Sequence, residues 1–138
     1  MSTYNQIVKR KKKRKKHSRS AALNLCPQRE GDVIRPRIVT PRKPNSARRP
    51  VVKAILTSKK YVVAHIPGVG GHNLRKHSDI LVRGKGPRDL PGVRHSCIRG
   101  VLDFLGLQTK TKRRSIYGVK RPQYLITKLR RRYRNLGY

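Results

Sequence analysis

The chain of 138 residues carries 37 Lys and Arg against 5 Asp and Glu, a formal charge of +32, with 35% hydrophobic residues, six Tyr, one Phe and no Trp. Self-repulsion on this scale disfavours a compact isolated state, so a polyanion must neutralise much of the charge when the protein works, and nucleic acid is the leading candidate. The apolar content allows one small core, no run approaches the roughly 20 apolar residues of a membrane span, and the N-terminus has no apolar signal region.

Lys9, Arg10, Lys11, Lys12, Lys13, Arg14, Lys15 and Lys16 form an unbroken basic run. Like charges repel and nothing in the run can be buried, which predicts a disordered basic N-terminal arm over residues 1–30 that orders against phosphates. A nuclear address or a solvated tail would carry the same run; basic residues that persist along the whole chain favour the arm. The first foldable stretch is residues 51–66, VVKAILTSKKYVVAHI. Val52, Ala54 and Leu56 share one face and Val62, Ala64 and Ile66 another, which predicts a β-hairpin turning near Ser58 and Lys59. Residues 80–82 give a short third strand between two Gly-rich loops, residues 67–73 and 84–92. Residues 97–107 fit either a strand or a helical stripe through Ile98, Val101, Leu102 and Leu105, and both readings stay open. Short strands divided by Gly and Pro loops predict a mainly β fold, a small OB-like antiparallel barrel over residues 31–122. From Tyr124 onward Leu125, Leu129 and Tyr133 interleave with Lys128, Arg130, Arg131, Arg132 and Arg134, and a short basic helix is predicted in a C-terminal extension over residues 123–138.

The chain offers little to catalysis. Glu30, Asp32, Asp79, Asp89 and Asp103 are scattered in sequence, with no two at an acid/base or metal-binding spacing, and the Gly-rich loops lack the Lys-Ser/Thr ending of a P-loop. His72 and His77 have no carboxylate beside them and read as polar or RNA-contacting side chains. Cys26 and Cys97 lack Cys-x-x-Cys or finger spacing and read as two reduced, partly buried thiols, with a disulfide left open.

The informative stretch is residues 40–49, TPRKPNSARR. Pro41 and Pro44 fix φ at two points three residues apart and push each preceding residue toward an extended conformation, which predicts a stiff, presented loop. Arg42, Lys43, Arg48 and Arg49 surround Asn45 and Ser46, whose short side chains donate and accept hydrogen bonds at close range. The wide minor groove of an RNA helix, lined by 2′-hydroxyls, is read by such groups.

Thr40-Pro41-Arg42-Lys43-Pro44-Asn45-Ser46-Ala47, Gly71-His72-Asn73-Leu74, His77-Ser78, Asp89-Leu90-Pro91-Gly92-Val93-Arg94, Arg99-Gly100, Leu102-Asp103 and Tyr117-Gly118-Val119-Lys120-Arg121-Pro122 resemble the small-subunit ribosomal protein S-twelve family, and the likeness runs in order over residues 1–122. The resemblance implies an OB-type barrel at the decoding centre of the small ribosomal subunit, with its arm threaded through ribosomal RNA. Pro44, Asn45 and Ser46 would then form the tip that supports the codon-anticodon helix in the aminoacyl site. Ribosomal RNA would be bound by the eight residues of the basic run and by Arg42, Lys43, Arg48, Arg49, Arg88, Arg94, Lys120 and Arg121. Asp89 matches an aspartate that many bacterial members carry as a methylthio derivative. The implied partners are small-subunit rRNA, tRNA and mRNA, elongation factors and neighbouring ribosomal proteins, with no membrane and no cofactor beyond structural magnesium on the RNA.

Departures from the family pattern narrow the source. Ser58-Lys59 stands where an Asn-Gly turn is usual, Gly70-Gly71 contains an extra Gly, Arg75-Lys76 replaces Gln-Glu, and the chain continues beyond Pro122. These point to a mitochondrial member, and a start that matches the family start with no added presequence points to one encoded within the organelle; the bacterial cytoplasm is the alternative location. A DNA-compacting or nucleocapsid-type packaging protein shares the charge but has no need of the proline-framed loop, and an RNA-modifying enzyme lacks its catalytic cluster here. Arg42 and Arg88 occupy positions where the bacterial pattern has the lysines of the streptomycin pocket, and a planar guanidinium does not replace a compact ammonium. Subunits carrying this chain are therefore expected to bind streptomycin poorly, and an Arg42→Lys, Arg88→Lys double variant to gain affinity in a direct binding comparison; equal, tight binding by both would refute this.

Overall fold

Small and branched apolar residues alternate with polar ones through the middle of the chain, and this period of two builds the central strands. The computed structural model describes residues 3–9 and 20–124. It contains a short helix α1 (Tyr4–Lys9) and the strands β1 (Gln28–Val39), β2 (Arg49–Leu56), β3 (Tyr61–His65), β4 (Asp79–Arg83) and β5 (His95–Cys97). The basic run after Lys9 and the anticipated basic helix after Tyr124 lie outside the described residues.

The strands close into a barrel in the order β1-β2-β3-β5-β4, with β4 paired back onto β1. This is the OB-like, mainly β architecture anticipated from the sequence, with one difference: β3 and β5 pair in parallel. The reason is topological. One strand, β4, separates them in the chain and runs the opposite way, so β5 reaches β3 already pointing in its direction. The hairpin of β2 and β3 has the expected faces, with Val52, Ala54, Leu56, Val62, Ala64 and Ile66 all buried in the core. Its turn is not a two-residue primed turn. The Lys59 N–H donates to the Leu56 carbonyl at 2.8 Å, the Leu56 N–H donates to the Lys60 carbonyl at 3.0 Å, and Lys59 has a φ of 57°. That is a three-residue loop ending in a left-handed residue, the geometry that suits a hairpin without Asn-Gly.

The longest strand, β1, was not anticipated, and the first foldable stretch begins well before residue 51. Its sequence, QREGDVIRPRIV, hides the alternation because only Gly31 and Val33 are buried while its other positions are half-buried or exposed. Residues 28–32 pair with β4 and residues 31–39 with β2, and the register slips between Val33 and Arg35. A bulge of this kind bends the strand, letting it serve two neighbours in turn. Pro36, which has no N–H to give, falls beyond the stretch paired with β4, where one side of the strand needs no partner.

Two side chains plug the barrel ends. Leu23, on a 3-10 turn spanning Ala21–Leu23, enters the core near Gly84. That turn is tied to the hairpin by Ser58 Oγ donating to the Ala22 carbonyl at 2.7 Å and by Lys60 Nζ donating to the Ala21 carbonyl at 3.0 Å. At the opposite end Phe104 is fully buried, on a tight turn where it bridges to Val101. Residues 97–107 therefore resolve as the end of β5 followed by turns, not as a helix. Cys97 lies in the barrel wall, where burial pushes its thiol up to about 12 and keeps it protonated; Cys26 is half-buried, and both are free.

Gly31 is the point where β1 is shared by β2 and β4. A Cβ there would lie 2.9 Å from the Leu56 Cα and also against the Ile55 carbonyl oxygen, both backbone atoms that cannot swing aside. Gly31→Ala is expected to destabilise the barrel by more than the ~1–3 kcal/mol of ordinary core overpacking, read as a fall in the urea midpoint of the full chain. An unchanged midpoint would show that β1 and β2 can separate there at no cost.

Candidate nucleic-acid interface

The loop of residues 40–48 joins β1 to β2, and its two halves behave differently. Pro41 is buried, whereas Arg42, Lys43, Pro44, Asn45, Ser46, Ala47 and Arg48 are all exposed. The root is held by a second small apolar cluster, in which Val51 packs with Leu90 and Val93 and with the half-buried Val39. The Arg42 N–H donates to the Asp89 carbonyl at 2.8 Å, and Arg49 Nη2 stands 2.7 Å from Asp89 Oδ2. Burying a Leu or Val side chain is worth about 1.5–3 kcal/mol, while a partly exposed ion pair is worth about 0–1 kcal/mol. The apolar cluster therefore holds the two loops together and Asp89 sets their orientation. Beyond this root the Asn45 N–H donates to the Arg42 carbonyl at 3.1 Å, closing a turn across the cis Lys43–Pro44 peptide, with Asn45 and Ser46 exposed beside it.

A cleft runs from this root toward the residues after β3. Arg48, Arg49, His65, Gly68, Val69 and Tyr117 line it. His65 is held below its ordinary value, first by burial and then by the nearby Arg49 charge, with Asp89 acting in the opposite sense. The far wall depends on Arg99, only 3% exposed. Its Nε donates to the Pro67 carbonyl at 2.6 Å, its two Nη atoms to those of Leu105 and Gly71 at 3.3 and 3.4 Å, and its guanidinium lies 4.5 Å from the Phe104 ring centroid. One buried cation thus gathers three carbonyls from two loops. In the sequence Arg99 stands out only as part of the Arg99-Gly100 motif of the family likeness, and nothing there assigns it this role.

The carboxylates, scattered in sequence, are not scattered in space. Asp32 and Asp79 are register partners across β1 and β4, Glu30 lies two residues along the same ladder, and Asp103 Oδ2 accepts the Asp79 N–H at 2.8 Å. The hydrogen bond with Asp32 raises the pKa of Asp79, followed by desolvation and the nearby charges. Strand pairing and one turn create this grouping, which no spacing along the chain reveals. Both Asp32 and Asp79 are exposed. The remaining carboxylate, Asp89, is the one paired with Arg49.

Of the residues selected from sequence, Arg42, Lys43, Pro44, Asn45, Ser46 and Arg48 lie in one loop with Arg49 opening β2 at its root, and the loop of Arg88 and Asp89 is set against it. Arg94 is exposed at a different recess, beside Lys53, Tyr61 and His95. Lys120 and Arg121 are exposed after Gly118, where a Cβ would lie 2.7 Å from the Gly100 Cα, so that backbone crossing requires glycine at residue 118. Lys9 ends α1, and the other residues of the basic run lie outside the described residues.

A closed barrel of this topology with cationic, polar loops at one end has the form of a nucleic-acid-binding barrel. Residues 7–124 match the family described as Ribosomal protein S12/S23. The chain is 67% identical over 134 residues to the Small ribosomal subunit protein uS12m of Paramecium tetraurelia, covering 97% of this chain and 96% of that one. The chain belongs to the S12/S23 ribosomal protein family, in its mitochondrial form. It is a structural protein of the small ribosomal subunit in translation, with rRNA and other ribosomal proteins as partners.

The histidines give the interface a pH signature. His65, His72 and His95 are each held below the ordinary value, in every case first by burial and then by an arginine: Arg49, Arg99 and Arg94 respectively. The unfolded chain takes up protons near pH 6.5 while the folded chain resists them, so the stability these groups contribute is present above about pH 6.5 and is lost as pH falls below it. The raised pKa of Asp79 acts in the opposite sense, at more acid pH. The thermal midpoint of the free chain is expected to fall between about pH 7 and about pH 5.5, and His65→Gln to flatten that fall. A midpoint independent of pH across this window would contradict the assignment.

Proposed function

We propose that Pro44, Asn45 and Ser46 support the codon-anticodon helix in the aminoacyl site of the small subunit, and so favour accurate decoding. The observation that carries this reading is an exposed polar tip on a root fixed by the buried Pro41, by the Leu90 and Val93 cluster and by Asp89. Pairing energy discriminates weakly between matched and mismatched codons, so selection needs a surface that rewards correct helix geometry and drives closure of the subunit. Short hydroxyl and amide groups on a stiff loop do this, because their hydrogen bonds to a minor groove form only when the groove has the right width. Rigidity supplies the selectivity: a loose tip would follow a distorted helix at little cost.

The neighbouring cations divide the remaining work. Arg42, Lys43 and Arg48 take rRNA phosphates around the tip, Arg88 extends that line on the adjoining loop, and Lys120 and Arg121, with the basic run that begins at Lys9, bind rRNA elsewhere. In this reading tRNA and mRNA are partners at the tip, elongation factors are partners during subunit closure, and any magnesium is held by rRNA phosphates. Asp89 matches the aspartate that many bacterial members modify, and in this reading it is a candidate modification site whose carboxylate remains the partner of Arg49.

Ser46→Ala removes a hydroxyl from the tip, and Pro44→Gly loosens the loop that presents it. Both variants are expected to change misreading in a reporter assay by several-fold while subunit yield stays normal. Normal misreading with normal yield would remove these residues from the decoding surface.

A further inference from the structure

The outer face of β3 presents Tyr61 and Val63 between inward-facing Val62 and Ala64. Tyr61 is 66% exposed, although the chain has few aromatic residues to spend on its surface. Its surroundings are cationic. Lys53 on β2 projects onto the same face, with its Nζ 5.5 Å from the Tyr61 ring centroid, and Arg94 comes from the segment leading into β5. These residues, with Val63, Gly92 and His95, line a shallow recess of about 260 Å³ that contains no carboxylate. A Cβ on Gly92 would have no atom within 4 Å, so the backbone at this lining residue is open to close approach. The recess shares no lining residue with the cleft beside the tip.

An exposed ring flanked by two cations and by an apolar Val is the chemistry that recognises one unpaired nucleotide: the base stacks on the aromatic face while the phosphates on either side meet the cations. A duplex would not suit it, because paired bases hide their faces from a side chain. The volume lies just below the roughly 300–1,000 Å³ of small-molecule pockets, and the recess is shallow and open to solvent, so a splayed base entering from an extended strand fits where a free metabolite would be poorly enclosed.

We propose that Tyr61, Lys53 and Arg94 form a stacking site for an unpaired nucleotide of the small-subunit rRNA, on a face of the barrel separate from the decoding tip. Tyr61 supplies the stacking surface and Val63 extends it. Lys53, held against the ring in the absence of RNA, turns to the phosphate when the base arrives. Arg94 binds the neighbouring phosphate from across the recess.

The chain has no tryptophan, so Tyr61→Trp places a single reporter in the site. In the full chain its fluorescence should be quenched by a short single-stranded RNA but not by inorganic polyphosphate, which brings the charge without bases. Lys53→Gln and Arg94→Gln in the same background should each shift the quenching curve to higher RNA concentration. Tyr61→Ala should weaken binding of single-stranded RNA roughly 5- to 150-fold in salt high enough to suppress contacts made by phosphate alone, while Tyr61→Phe retains binding. A photo-crosslinking residue at position 61 in assembled subunits should label rRNA. Quenching by polyphosphate equal to that by RNA, or a crosslink to a neighbouring protein in place of rRNA, would overturn the proposal. Misreading is measured at residue 46 and quenching at residue 61, so the decoding reading and this one can fail separately.

Discussion

Barrel closure turns on the backbone crowding at Gly31, where β1 leaves β4 and begins to pair with β2. A strand that serves two neighbours must bend sharply. The side chain is absent where the backbones crowd, and the register slips three residues later, between Val33 and Arg35. With β1 in place the ladder runs unbroken from β4 through β1 to β3, and Leu23 and Phe104 stop the two ends. The loops at the Phe104 end then spring from fixed positions: the tip between β1 and β2, the residues after β3 gathered by Arg99, and the turn that carries Tyr117.

A chain with so large an excess of cations has few carboxylates to place, and their placement shapes its surface. Glu30, Asp32, Asp79 and Asp103 gather along β1, β4 and one turn, and Asp89 is taken up by Arg49. The exposed tip is left with cations and short polar groups, and the recess around Tyr61 with cations beside its ring. Salt at physiological strength screens exposed charges beyond about 8 Å, so what an approaching phosphate meets is decided by these local groupings more than by the total charge.

The tip shows how a rigid feature is built from little material. Its exposed residues have no core of their own, and the apolar contacts that hold it belong to its root and to the loop of residues 84–94. Hydrophobic burial supplies the energy there, while the ion pair and the Arg42 N–H bond supply direction. In the proposed reading, a tip that recognises an RNA groove by shape needs this division, because a surface that had to order itself on contact would bind right and wrong geometries with similar reluctance.

The hairpin of β2 and β3, the short β4 and the presented proline loop were legible in the residues, because each is governed by local rules: a period of two, turn residues between apolar runs, and the fixed φ of proline. The resemblance to the S12/S23 family was equally legible, since it rests on motifs whose order along the chain carries the information. β1 was not legible, because a strand with one shallow buried face, a glycine and a proline breaks the alternation that marks ordinary strands. Arg99, the acidic grouping, the parallel pairing of β3 with β5 and the recess around Tyr61 were decided only by the tertiary structure. Each depends on which strands become neighbours, and that choice is made by closure of the barrel as a whole, where contacts between residues distant in sequence are satisfied together and leave no periodicity or spacing in the chain.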